Sequence, residues 1–172
     1  MTYSRNWRAP PPLKERRILV MPLTRSSRER RGPFVKRILV ATDRSETADR
    51  AVEWAAEMAD RYDSELVLLQ VLGDESGEEA HSEAVSGLAK LSEQIAAPRA
   101  RLQVVVDSDP SRAIVQVAEE ESADVLVVGS IGMSGRKEFL LGNVPNRVSH
   151  NAPCTVVIVN TKVARSRRLG KR

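Results

Sequence analysis

Glycine spacing marks the place in this chain where chemistry is most readily built. The run Val125-Leu-Val-Val128 enters Gly129, and further glycines follow at Gly132, Gly135 and Gly142 before Asn143 opens a helix-like segment ending near His150-Asn151. Three of the four residues of the run are β-branched, which is the pattern of a strand buried on both faces. A buried strand leading into a glycine-rich loop and then a helix start suits phosphate. Glycine lets the main chain approach closely, and the unpaired N–H groups of a first helical turn point at the anion. Asp43, at the carboxyl end of a second short apolar run (Ile38-Leu-Val40), supplies a carboxylate able to accept from a ribose hydroxyl or a base amine. By itself Asp43 reads equally well as a capping acid at a strand-to-helix turn. Beside a glycine loop, the ligand reading gains weight. Within the loop, Arg136 and Lys137 suit outer phosphates or equally a solvated surface pair, and Ser130 and Ser134 are weaker candidates.

Other chemistries find little footing. There is no G-x-x-x-x-G-K-[S/T] phosphate loop, and no G-x-G-x-x-G follows the first strand. His81 falls at a loop or helix start and His150 at a helix end, neither with an evident nucleophile partner. Cys154 is the single cysteine, which leaves no intrachain disulfide and no multi-cysteine zinc site, and its place at the start of an apolar run reads as core. Asp107 and Asp109 read as a turn, and Glu119-Glu-Glu121 as a solvated helix face.

The elements that must carry these groups alternate. Strands are expected at Ile38–Val40, Glu65–Val71, Arg101–Val106, Asp124–Val128 and Cys154–Val159. The third is half alternating, as befits a sheet edge. Between the first two, Ser45 is a candidate N-cap, and Ala48, Ala51, Val52, Ala55, Ala59 and Tyr62 form one helical stripe. Ala80–Ala97 reads as a charged helix stopped by Pro98. Pro110 suits the first turn of a helix whose apolar face is Ile114, Val115, Val117 and Ala118 and which ends near Ser122. The pattern predicts an α/β fold: a single open five-stranded parallel sheet with helices on both faces. Ligands of such sheets sit beyond the carboxyl ends of the strands, where neighbouring connections diverge. If the first and fourth strands are neighbours, Asp43 meets the Gly129–Asn143 loop there.

Composition bounds the rest. The chain has 172 residues, 41 % of them apolar but only 3 % aromatic, so Val, Ile, Leu and Ala must build the core. So few aromatics argue against a base-stacking, single-strand nucleic-acid binder. The net charge of +4 is unevenly spread. Residues 1–37 hold eleven Lys/Arg against two acids, and 162–172 hold six basic residues and no acid, which leaves 10 basic against 21 acidic residues between them. We therefore read a basic, flexible extension over 1–35, a body over 36–161 and a basic tail over 162–172. The tails are either merely solvated or suited to an anionic partner such as nucleic acid or a membrane surface. Arg17-Ile-Leu-Val20 recurs as Arg37-Ile-Leu-Val40, by chance, as a relic of duplication, or because the true start is Met21. No apolar run is long enough to span a bilayer and no signal peptide is read, so a cytoplasmic location is expected.

These motifs resemble the universal stress protein family. Its nucleotide-binding members carry G-x-x-G, nine residues, then G-[S/T]. Here that is Gly129-x-x-Gly132, Met133 to Leu141, and Gly142-Asn143. Val40-Ala-Thr-Asp-Arg-Ser-Glu-Thr-Ala48 is similar to the family's first strand and turn, and Ala152-Pro-Cys-Thr-Val-Val-Ile-Val159 to its last strand. The resemblance spans about Lys36 to Asn160. It implies a regulatory, stress-response protein that binds ATP or another adenine nucleotide (ADP or AMP), with or without Mg²⁺, and acts as a homodimer through Thr155 to Val159. By carry-over, Asp43 faces the adenosine with Thr42 beside it, and Val71 presents backbone to the base. Gly129, Gly132, Gly142 and Asn143 surround ribose and phosphates. Slow ATP hydrolysis or autophosphorylation is the most the resemblance allows, and no residue stands out as its base. Two departures bear on affinity: Asn143 replaces Ser or Thr, and Pro145 removes one N–H from the first helical turn. They keep open an alternative, a nucleotide-independent interaction module of the same fold.

Overall fold

A computed structural model describes residues 34–97, 99–130 and 143–161. Its elements run β1 (Arg37–Ala41), α1 (Glu46–Tyr62), β2 (Glu65–Leu72), α2 (Glu78–Gln94), β3 (Arg101–Val106), α3 (Pro110–Glu120), β4 (Val125–Gly129), α4 (Asn143–Asn151) and β5 (Thr155–Val159). All strand pairs are parallel and the order across the sheet is β3-β2-β1-β4-β5. The expected five-stranded parallel sheet is present, with β1 in the centre and β3 at an edge.

The two faces of β1 explain its unbroken apolar run. Ile38 and Val40 pack with Ala51, Val52, Ala55 and Ala59 of α1 and Leu88 and Leu91 of α2. Leu39 points the other way, into a layer with Ile114, Val117 and Ala118 of α3 and Val148 of α4. Alternate side chains of a strand face opposite ways, so a strand between two helical layers needs apolar residues at every position. Leu39, Leu68, Leu69 and Leu126 are fully buried, each stabilising the fold by roughly 1.5–3 kcal/mol relative to an exposed side chain.

Local signals set the helix ends. Ser45 caps α1 with its hydroxyl accepting from Ala48 N–H at 3.3 Å. The helix closes on Asp63, whose φ of 53° is left-handed, while Ser64 N–H reaches back to the Ala59 carbonyl at 2.9 Å. The stripe on α1 is buried as expected except for Tyr62, the final residue of the helix, which is 49 % exposed. Helix α2 spans Glu78–Gln94 in place of the expected Ala80–Ala97. It stops short of Pro98 because Ala96 turns left-handed at φ 53°. Asp109 caps α3, with Pro110 in the first turn.

The amino ends of the strands are tied by charged side chains. Asp124 accepts from the backbone N–H groups of Lys36 at 2.7 Å and Arg37 at 3.0 Å, fastening the start of β1 to that of β4. Those two N–H groups hold its carboxyl below the usual carboxylate range. Arg37 and Arg101 share Glu65, and Arg101 grips Glu121 with two bonds of 2.8 and 2.9 Å. Glu121 thus departs from the solvated face expected of it; Glu119 and Glu120 are exposed. No helix among the described residues is long and apolar enough to cross a membrane.

Candidate functional site

The site assembles where β1 ends between β2 and β4. The β1–β4 register pairs Val40 with Val127; continued two residues, it sets Thr42 level with Gly129. The β1–β2 register pairs Ala41 with Leu69, which sets Asp43 level with Val71. Helices α1 and α2 lie on one face and α3 and α4 on the other. The helices that follow β1 and β4 therefore lie on opposite faces, the arrangement that leaves a ligand crevice at the carboxyl ends of neighbouring parallel strands.

Each described candidate has a definite place. Thr42 is buried; its N–H donates to the Leu69 carbonyl at 2.9 Å and its hydroxyl accepts from Arg44 N–H at 3.0 Å. Asp43 Oδ1 accepts from Ser45 N–H at 3.1 Å and from Ser45 Oγ at 2.6 Å, which stiffens the turn. Arg44 adopts φ 60°, an uncommon conformation for a residue with a side chain. Its guanidinium lies 3.8 Å from Asp49, a charge contact without a hydrogen bond. The tight Thr42–Ser45 turn keeps the Asp43 backbone at the crevice.

Val71 is placed by strand length. β2 continues to Leu72, three residues beyond the Leu69 that pairs with the last residue of β1. Within a parallel strand the N–H and C=O of alternate residues point to the same neighbour. The Leu69 carbonyl bonds Thr42 on the β1 side, and the Leu72 carbonyl bonds Asp107 on the β3 side. Val71 therefore turns its N–H and C=O toward β1, where β1 has already ended.

Gly129 closes β4, opposite Val159. Ser130, a weaker phosphate candidate, is engaged elsewhere. Its N–H donates to the Val159 carbonyl at 2.8 Å, and its hydroxyl accepts from Thr161 N–H at 3.1 Å. Thr161 is fully buried, a latch between β4 and the end of β5 that sequence reasoning passed over, since a lone threonine after a strand carries no pattern. Asn143 is the exposed first residue of α4, and Pro145 is buried in its first turn. Gly132, Arg136 and Gly142, with Ser134 and Lys137, lie outside the described residues.

An ionic brace connects α4 to the rest of the site. Arg147 donates to both Asp109 oxygens at 2.9 and 2.7 Å, tying α4 to the N-cap of α3, and Arg112 donates to both Asp107 oxygens at 2.8 and 2.9 Å. The guanidinium of Arg147 is the main cause holding the Asp109 carboxyl below its usual range; Arg112 does the same for Asp107. Cys154 is half-buried just ahead of β5, and burial, then the nearby Asp124 charge, push its thiol up. A thiol so placed is a poor nucleophile.

Residues 35–160 match the Universal stress protein family. This chain belongs to that family. A universal stress protein of Mycobacterium tuberculosis is 33 % identical over 143 residues, covering 73 % of this chain and 97 % of that one. Among solved structures, a universal stress protein in complex with cAMP superposes with a TM-score of 0.60 at 29 % identity, covering 74 % of this chain and 98 % of the other. A universal stress protein of Archaeoglobus fulgidus in complex with dAMP gives a TM-score of 0.57 at 26 % identity, over 72 % and 96 % of the two chains. Both of these solved relatives hold an adenine nucleotide.

Proposed function

We propose that this universal stress protein binds an adenine nucleotide, ATP or its di- or monophosphate, in the crevice between β1 and β4, and works as a cytoplasmic regulatory protein through nucleotide-dependent conformation or partner binding. The observation that carries the reading is the backbone of Val71. One N–H and one C=O aimed past the end of β1 match the acceptor and donor of an adenine edge, and the Asp43 backbone and carboxylate stand at the same level. The fit extends outward. Gly129 lets ribose approach β4, and Asn143 starts a helix whose first-turn N–H groups suit phosphate, less the one that Pro145 removes. Gly132 and Gly142 would complete the cradle and Arg136 would meet the outer phosphates. Mg²⁺ would enter with the phosphates of the nucleotide. The adenine complexes of the two relatives support the same nucleotide class.

Calorimetric titration of ATP, with and without Mg²⁺, into the full chain and an Asp43→Asn variant tests this. Asn keeps an acceptor for Ser45, so the turn and the melting temperature are preserved while the carboxylate charge is removed. ATP affinity should fall at least tenfold. Equal affinity in both proteins would remove Asp43 from the site, and no heat at millimolar ATP would sink the nucleotide reading. A second reading, a nucleotide-independent module, is favoured by one observation: Asp43 Oδ1 is already engaged by both donors of Ser45.

We further propose a homodimer through the outer edge of β5. Thr155 N–H and the Val159 carbonyl face β4, so the N–H groups of Val156 and Ile158 face outward, where a second β5 would meet them. Val156→Pro removes an outward donor without touching the β4 ladder. Light scattering should report a monomer for this variant and a dimer for the parent; a variant that remains dimeric places the interface elsewhere.

A further inference from the structure

At the end of the sheet opposite the crevice, a groove of about 880 Å³ runs between α1 and the α2–β3 connection. Its lining is divided by chemistry. Ala56, Ala59, Ala97 and Ala100 give it an apolar floor. Glu53, Glu57, Asp60, Asp63 and Glu65 bring carboxylates, against the guanidinium of Arg99. Glu57 is paired with Arg61, and Glu65 with Arg37 and Arg101. Glu53, Asp60 and Asp63 are exposed and have no ion pair among the described residues.

Backbone electrostatics add to this charge. Both α1 and α2 end at the groove, so two helix carboxyl termini, each with partial negative charge, converge on it. Helix α2 has no basic residue in its last turn to offset its terminus. The carboxylates are strung along the helix: Glu53 to Asp63 is ten residues, about 15 Å at the helical rise. Among the described residues no three acids converge as they would on a metal ion. A linear arrangement of that length matches roughly five residues of extended peptide.

We propose that this groove docks a basic peptide segment of a partner polypeptide, with Arg or Lys alternating with small residues. The aliphatic stems of Arg and Lys would lie on the alanine-rich floor while their charged heads reach the carboxylate rim, as long cationic side chains do over apolar surface. Charge complementarity selects the occupant: an acidic peptide or a nucleic acid would meet like charge along the α1 side of the groove. The surface lies at the amino ends of the strands, away from the crevice, so docking there can be measured without nucleotide.

The test is fluorescence anisotropy of a labelled ten-residue peptide of alternating Arg and Ala, titrated with the full chain at low ionic strength. A groove variant, Glu53→Gln/Glu57→Gln/Asp60→Asn/Asp63→Asn, keeps size and leaves at position 63 a residue that tolerates its left-handed backbone. A control, Glu78→Gln/Glu79→Gln/Glu119→Gln/Glu120→Gln, removes the same charge from elsewhere on the body. The groove variant should bind at least tenfold more weakly and the control less than twofold. Should the groove variant fail to fold, Ala56→Arg, which puts a cation on the floor, should abolish binding in a folded protein; binding retained there would overturn the proposal. Equal losses in groove and control variants would reduce the effect to net charge and overturn it as well. Competition by spermidine at equal charge concentration would assign the groove to small polycations. Self-association lost in the groove variant, with peptide binding retained, would assign it to a second copy. Either result overturns the peptide reading.

Discussion

Removing the Asp124 carboxylate should cost stability by an amount that the geometry allows to be worked out. Its Oδ2 accepts two backbone N–H groups, from Lys36 at 2.7 Å and Arg37 at 3.0 Å, the first exposed and the second part-buried. A hydrogen bond to a charged group contributes about 1.5–3 kcal/mol when sheltered. Exposure removes most of that for the Lys36 bond and about half for the Arg37 bond, so Asp124→Ala should destabilise by about 1.5 kcal/mol, or roughly 5 °C in Tm for a body of this size. Asp124→Asn, which keeps a neutral acceptor, should lose about half as much. The folded carboxyl is held below its unfolded value, so the unfolded chain binds the proton more readily in the interval between the two. The contribution is therefore complete above the unfolded value near pH ~4 and is lost as pH falls through the folded value. Urea unfolding of parent and variants at about pH 7 and about pH 3 measures it: the gap between parent and Asp124→Ala should narrow on acidification. A gap that acidification leaves unchanged would show that the side chain acts through packing, and would refute the attribution to the two N–H groups.

Two further outcomes follow from single positions. Ala96→Gly should raise stability by about 0.5–1 kcal/mol, measurable in the urea midpoint, because Ala96 sits at φ 53° where a Cβ is penalised. Thr161→Val should lower it by about 1 kcal/mol, since the change removes a buried hydroxyl 3.4 Å from Ser130 Oγ while conserving shape; hydrogen exchange at the Ser130 amide should accelerate.

Features that depend on neighbours in sequence were legible, and features made by distant segments were not. The unbroken run Ile38-Leu-Val40 announces a central strand because both of its faces are covered, and Ser45 and Pro110 announce helix starts because a cap acts within three residues. The pairing of Asp43 with Val71 needed a register, and Val71 entered the reading through family resemblance alone. Glu121 looked solvated because its partners Arg37 and Arg101 arrive from 84 and 20 residues away. Arg147 gave no signal for the same reason: its partner Asp109 lies 38 residues upstream. Tyr62 continued an apolar periodicity, but it is the last residue of α1 and half of it remains exposed. The acidic groove joins 53–66 to 95–100, and in sequence each half is an ordinary helix end.

The central position of β1 has a consequence for synthesis. One flank is covered early, by β2, whose Glu65 pairs with Arg37 from 28 residues downstream. The other flank waits for β4, and the Lys36–Asp124 bond that fastens it spans 88 residues. At about 5–20 residues per second, the ribosome takes roughly 4–18 s to supply that second partner. Throughout that interval the nascent chain carries an apolar strand with a bare edge, in a half-built sheet that α4 has yet to cover. The same sandwiching that buries β1 so completely in the finished protein leaves one of its edges open to wrong pairing while the protein is being made.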